Sequence, residues 1–144
     1  MGDRGDRVRR AREFMRAVHA GQYDKAGQPY HLHPEAVAAM CADEEAKVVA
    51  LLHDVVEDTS ATPDALAAAF SPEIAGHVCT LTHAKDEDYF AYIRRVKRDP
   101  VAAKVKAADL RHNLDLTRLP AVGLADVLRA GKYVEALKIL LSDD

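Results

Sequence analysis

The polar and apolar positions of this chain recur at helical spacing almost throughout. Val8, Ala11, Phe14, Met15 and Val18 return every three or four residues and predict a first helix over about Arg7 to Ala20. Gly21, Gly27 and Pro29 interrupt the pattern within "GQYDKAGQPYHLHP" and predict a loop. Pro34 suits the first turn of a second helix, to about Cys41, and Asp43 can cap a third. Thr62-Pro63 and Ser71-Pro72 open two more, ending near Phe70 and Thr82. A segment rich in Tyr and Arg spans 86–98, and Pro100 starts a helix to about Leu116. The last runs from about Val122 to Leu141, weakened modestly by Gly131. With β-branched runs short, the expectation is an all-α bundle of seven or eight helices. At 144 residues and 49% hydrophobic content, one domain (1–144) with its own core is expected.

Two helices carry polar groups that the pattern alone does not explain. In "LLHDVVEDTS" (51–60), His53, Asp54, Glu57 and Asp58 gather on roughly 140° of a helix wheel, opposite Leu51, Leu52, Val55 and Val56. An ordinary solvated face and the wall of a site both fit this segregation. Asp54, Glu57 and Asp58 are like charges about one turn apart, which opposes helix stability and which a cation would relieve. In "VAAKVKAADLRHNLDL" (101–116), Lys104, Arg111 and Asp115 form the wet face, while Asp109 and Asn113 fall among Ala102, Val105 and Leu116. A carboxylate on the core side is costly unless paired or bound to a metal. Either an Arg or helix N-termini hold Asp109 there, or it is a ligand projected inward.

Composition adds mostly exclusions. A net charge of −3 gives no basic bias toward nucleic acid or an anionic membrane surface. The basic stretches "RVRRAREFMR" and "DYFAYIRRVKR" keep apolar residues at helical spacing, so they read as exposed faces of packed helices, with Tyr89, Tyr92 and Ile93 inward. No apolar run approaches the ~20 residues of a membrane span. "MGDRGDRVRR" lacks the apolar stretch of a secretory leader, and Asp6 replaces the Ser or Thr that follows a myristoylated Gly2. A cytoplasmic location is expected, with Cys41 and Cys79 as reduced, packed thiols.

The remaining candidates are histidines. His31 and His33 in "YHLHP" would point to opposite sides of an extended segment. His19, His77, His83 and His112 lack patterned acidic neighbours and are assigned to surface or core contacts, with His112 able to support a ligand because it adjoins Asn113. Two imidazoles and two carboxylates suit a divalent transition ion such as Mn²⁺, Fe²⁺ or Zn²⁺, which would activate a water and polarise a phosphoryl oxygen.

The order His, then His-Asp, then Asp resembles the HD superfamily of metal-dependent phosphohydrolases. More narrowly, "GQPYHLHPEAVA", "ALLHDVVEDT" and "VKAADLRHNL" resemble the hydrolase domain of the RelA/SpoT family, which removes the 3′-pyrophosphate of the alarmone (p)ppGpp. The similarity runs from about His19 to Leu119. It implies an all-α fold and Mn²⁺ held by His33, His53, Asp54 and Asp109. It implies that Glu57 and Asp58 activate and orient the attacking water. Asn113 and Lys25 match nucleotide-contacting residues, and Lys106 lies within reach of a phosphate, with Arg94 or Lys97 as further neutralising cations. Three positions depart from the family. Asp24 stands where an Arg packs on the guanine, Leu116 where a Thr follows the Asn, and His31 where an apolar residue is usual. The first two bear on nucleotide recognition, so guanine specificity does not follow from them. The chain is too short for the family's synthetase domain, so alarmone synthesis is not expected. Hydrolysis of another nucleotide or phosphoester, and a metal- and nucleotide-binding regulatory module without turnover, fit the same residues. Asp24 favours the former, and the Glu57-Asp58 pair argues against the latter.

Overall fold

The computed structural model describes residues 2–143. Among them the chain forms α1 (Gly2–Val18), α2 (Leu32–Ala39), α3 (Glu44–Leu52), α4 (Val55–Asp58), α5 (Pro63–Ala69), α6 (Pro72–Leu81), α7 (Tyr89–Lys97), α8 (Pro100–Asn113) and α9 (Leu124–Leu141), with a 3₁₀ turn at Leu116–Arg118. Counting α3 and α4 as one interrupted helix gives the expected all-α bundle of eight. No strand forms among the described residues; Tyr23 and Pro29 make one isolated bridge.

Helix starts follow local chemistry. Side chains of Asp43, Thr62, Ser71, Asp88 and Asp99 each accept a backbone N–H of the helix they precede. Pro follows the cap in α5, α6 and α8, where its missing N–H costs nothing. Some boundaries differ from expectation. α8 ends at Asn113, and the segment on to Leu116 is a turn. α2 begins at Leu32, so His31 and His33 lie in helical backbone and the alternation expected of an extended strand does not apply.

α3 is the axis of the molecule. It packs against α1, α2, α6 and α8, and every side chain from Val48 to Leu52 is fully buried. A helix apolar all round must be surrounded. α8 packs in turn on α2, α3, α6, α7 and α9, burying Ala102, Val105, Ala107, Ala108 and Leu110. Alanines on that face let its backbone come close to α3. Cys41 is buried, but Cys79 is exposed on the outer side of α6, so the expectation of two packed thiols fails for Cys79. Its neighbours Val78 and Leu81 take the inner face, and a residue next to an inward one in a helix points ~100° away.

The wheel for 51–60 requires one continuous helix, and the chain breaks it after Leu52. The carbonyl of Ala50 accepts both the backbone N–H and the ring Nδ1 of His53. That double use takes it out of the regular ladder, and the chain turns at His53 and Asp54 before α4 resumes. The break sends His53 into the interior, 4% exposed, while Glu57 stays exposed on α4. No helix among the described residues is long and apolar enough to cross a membrane.

Candidate metal centre and cleft

His33 from the first turn of α2, His53 from the break after α3 and Asp109 from the middle of α8 meet at one buried point. One ligand atom from each lies within 4.8 Å of the others. His33 Nε2 is 2.7 Å from Asp109 Oδ1, and His53 Nε2 is 3.4 Å from the same oxygen. Asp54 joins from the break, its Oδ2 3.1 Å from His53 Nε2. The inward Asp109 expected from the α8 wheel is therefore real, at 5% exposure, and no Arg holds it.

The protonation of His53 follows from its partners. A carbonyl only accepts, so Nδ1 must donate to Ala50 O, and Nε2 is left to carry either a proton or a metal ion. That buried atom makes no hydrogen bond and faces two carboxylate oxygens. Burial opposes charge on His53, but the carboxylates of Asp54 and Asp109 outweigh it and hold the ring well above its ordinary value, so this point favours a positive charge, a proton or a metal ion. Two imidazoles and two carboxylates are the donor set of a divalent transition ion, so the residues fit such a metal.

The surroundings hold these ligands in place. Lys106 Nζ donates to Asp109 Oδ2 at 2.9 Å, and Asn113 Nδ2 donates to Oδ1 at 3.2 Å. Burial alone would push the Asp109 carboxyl up, but Lys106 and the two imidazoles hold it well below the usual carboxylate range. Lys106 and Asn113, expected at the substrate, are both bonded to Asp109 here. Tyr30, which sequence reasoning passed over, donates its hydroxyl to Asp54 and, at 3.3 Å, to Asp58. Burial first, then the charges of Asp54 and Asp58, push this phenol far above its ordinary value, so it stays a donor. Its position three residues before His33 was the available signal. His33 Nδ1 lies 2.7 Å from His112 Nδ1.

These groups form the floor of a cleft of about 480 Å³, a size usual for small-molecule sites. Glu57 and Asp58 line it beside the ligands, and Lys25 lines it from the loop before α2. Burial, then the charges of Asp54 and Glu57, raise the Asp58 carboxyl above its ordinary value. Arg118 and Arg129 supply further cations and Tyr89 and Tyr133 apolar walls, none of them signalled by a motif. Arg94 and Lys97, suggested as phosphate partners, do not line the cleft; Lys97 bonds to Ser142 instead. His31 also lies outside it.

The loop that bears Lys25 is shaped by Asp24. Its Oδ1 accepts the N–H groups of Ala26 and Gln28, both at 2.9 Å, and its Oδ2 lies 3.9 Å from Arg118. Gly21 and Gly27 at the loop's corners have φ of 84° and 81°, in the left-handed region that side chains avoid.

The fold is an all-α bundle around a buried cluster of His33, His53 and Asp109 able to hold a metal, and comparison with known proteins gives the family. The family model of the HD domain matches residues 11–138, and the chain belongs to that family. A probable GTP pyrophosphokinase of Mycobacterium leprae is 35% identical over 92% of this chain and 18% of its own length. The guanosine-3′,5′-bis(diphosphate) 3′-pyrophosphohydrolase of Haemophilus influenzae is 36% identical over 70% of this chain and 17% of its own. The bifunctional (p)ppGpp synthase/hydrolase SpoT of Escherichia coli is 33% identical over 78% and 18%. The chain thus spans about 18% of the length of the curated relatives it matches. A solved structure of a metazoan ortholog of SpoT, described as hydrolysing ppGpp, superposes with a TM-score of 0.79 at 23% identity, covering 96% of this chain and 87% of that one. At that identity the likeness establishes the shared fold.

Proposed function

We propose that this chain is a divalent-metal-dependent phosphohydrolase that acts on a nucleotide pyrophosphate, with (p)ppGpp, cleaved at its 3′-pyrophosphate, as the substrate. The observation that carries the reading is the convergence of His33, His53 and Asp109 beside Asp54, on the floor of a cleft that also holds Glu57 and Asp58. His33, His53, Asp54 and Asp109 are the proposed ligands, with Mn²⁺ preferred and Fe²⁺ or Zn²⁺ as alternatives. Bound there, the ion supplies Lewis acidity toward a phosphoryl oxygen and lowers the pKa of water. The protein supplies the rest. Glu57, exposed and facing the cleft, takes a proton from the attacking water. Asp58, raised by burial and then by its acidic neighbours, orients that water and holds or relays the proton. Lys25, Lys106 and Asn113 face the phosphates or the nucleotide from the walls.

Relatives named as (p)ppGpp hydrolases support the substrate choice. Asp24, committed to its own loop and to Arg118, favours a second reading, hydrolysis of another nucleotide through the same floor. One assay separates them. Mn²⁺-loaded protein is offered (p)ppGpp and a panel of nucleoside phosphates, with product identification. Release of pyrophosphate from (p)ppGpp supports the first reading, and turnover confined to other nucleotides removes it. An Asp54→Ala variant with undiminished turnover on every substrate overturns the mechanism.

A further inference from the structure

Glu57 makes one hydrogen bond among the described residues, and it is to backbone. The N–H of His83 donates to its Oε1 at 2.9 Å. His83 lies in the 82–88 loop between α6 and α7, so the position of that loop sets the aim of the carboxylate. The loop is held by side chains of α7 and by its own Glu87. Three consecutive carbonyls where α6 ends are taken by side chains of α7. Arg95 Nη1 donates to Thr80 O at 2.9 Å, the Tyr92 hydroxyl to Leu81 O, and Arg95 Nη2 to Thr82 O at 3.1 Å. The terminal carbonyls of a helix have no partner within it, so this is a cap supplied by the next helix. The same guanidinium grips the far end of the loop, with Nε and Nη2 each 2.9 Å from a Glu87 oxygen. Glu87 returns the hold, its Oε1 accepting Ala84 N at 3.3 Å and its backbone carbonyl meeting His83 Nε2 at 2.6 Å. Arg95 itself stacks over the Tyr92 ring and does not line the cleft.

We infer that Arg95 is a positioning residue for Glu57, acting through the 82–88 loop and the His83 N–H. The inference rests on the proposed role of Glu57 in handling the attacking water. Only a planar fork can serve the C-terminal end of α6 and Glu87 at once; a lysine has one ammonium for both.

Arg95→Met keeps the stem on Tyr92 and removes the fork. With saturating Mn²⁺ its kcat falls about 10- to 100-fold, the scale of a slightly misplaced reacting group, while KM stays within about 2-fold. Arg95→Lys falls between it and wild type. Adding Arg95→Met to Glu57→Ala lowers kcat no further, because the two changes remove the same contribution. Additive losses in log kcat overturn the inference. A second readout is independent of turnover: the His83 amide exchanges with solvent faster in both Arg95→Met and Glu57→Ala, while α3 amides keep their protection. An unchanged His83 exchange rate in Arg95→Met and Arg95→Lys also overturns it. A wild-type protein inert toward every nucleotide removes the proposed function, and the exchange measurement then decides alone whether Arg95 holds the His83 N–H against Glu57.

Discussion

His33 and His112 share a hydrogen bond between their Nδ1 atoms, 2.7 Å apart, with the rings stacked at 26°. Burial first, then the charges of His33 and Arg118, depress His112 to about 4, so at neutral pH it carries one proton and one lone pair. With the lone pair on Nδ1 it accepts the His33 Nδ1 proton and fixes the ring so that Nε2 points at Asp109 Oδ1, 2.7 Å away, where it donates without a metal and would coordinate one when bound. Ligand imidazoles are normally oriented by such a partner, and losing it costs 10- to 100-fold in metal affinity as an order of magnitude. His112→Phe keeps a stacked ring and deletes the acceptor. Calorimetric titration with Mn²⁺ is expected to show affinity reduced by about 10-fold or more. Wild-type affinity in this variant would contradict the assignment.

Asp58 is placed at some cost to the fold. Its carboxyl is raised in the folded protein, so folding disfavours the charged form. The sign follows directly. The penalty is absent below the unfolded value of 3.8, grows as pH rises through the interval up to the folded value, and is complete above it. Asp58→Asn removes the charge and leaves an oxygen for the Tyr30 hydroxyl. Asp58 is exposed, so solvent screens most of the repulsion, and the melting temperature at pH 7 is expected above wild type by only about 1–3 °C, the range that a fraction of a kcal/mol gives at this length. The gain disappears near pH 3.5, and turnover falls. Calorimetry at both pH values checks it; a destabilised variant at pH 7 would refute the repulsion argument.

Tyr30→Phe moves stability the other way. The phenol is the side-chain donor that Asp54 and Asp58 share. Leaving a partly buried carboxylate without its donor costs about 1–2 kcal/mol. Urea denaturation of the metal-free variant should show that loss. An unchanged midpoint would mean that solvent replaces the hydroxyl.

Asp24 acts on substrate through the shape of its loop. Asp24→Ala removes the acceptor for two backbone N–H groups and loosens the segment bearing Lys25. KM is expected to rise about 3- to 10-fold, the worth of roughly one hydrogen bond, with kcat nearly unchanged. Asp24→Asn, which retains a turn-forming oxygen, should stay closer to wild type. Steady-state kinetics on both variants decides it, and a kcat effect without a KM effect would place Asp24 elsewhere in the reaction.

How far these features were legible in the sequence depends on their range. Caps at Asp43, Thr62 and Ser71, and the Pro100 that opens α8, are local chemistry, and helix starts were readable from them. Asp109 was readable because a carboxylate among Ala102 and Val105 violates its own helix pattern. His53 was only half legible: the residue stood out, but the turn that buries it arises from the doubly used Ala50 carbonyl, which no wheel contains. Cys79 was misread because apolar neighbours in sequence do not share a helix face. The work of Arg95 was invisible, since its partners lie on another helix end and across a loop. Arg94 and Lys97, beside it in sequence, drew attention that the packing gives to neither.

The proposed ligands come from three distant stations: the start of α2, the break after α3, and the middle of α8. An ion held between them is also a removable cross-link that closes two long loops of chain and shrinks the unfolded ensemble. Binding to the folded form alone ties melting temperature to free metal concentration. Chelation would therefore be felt along α2 and α8 as a loosening of the seam between them.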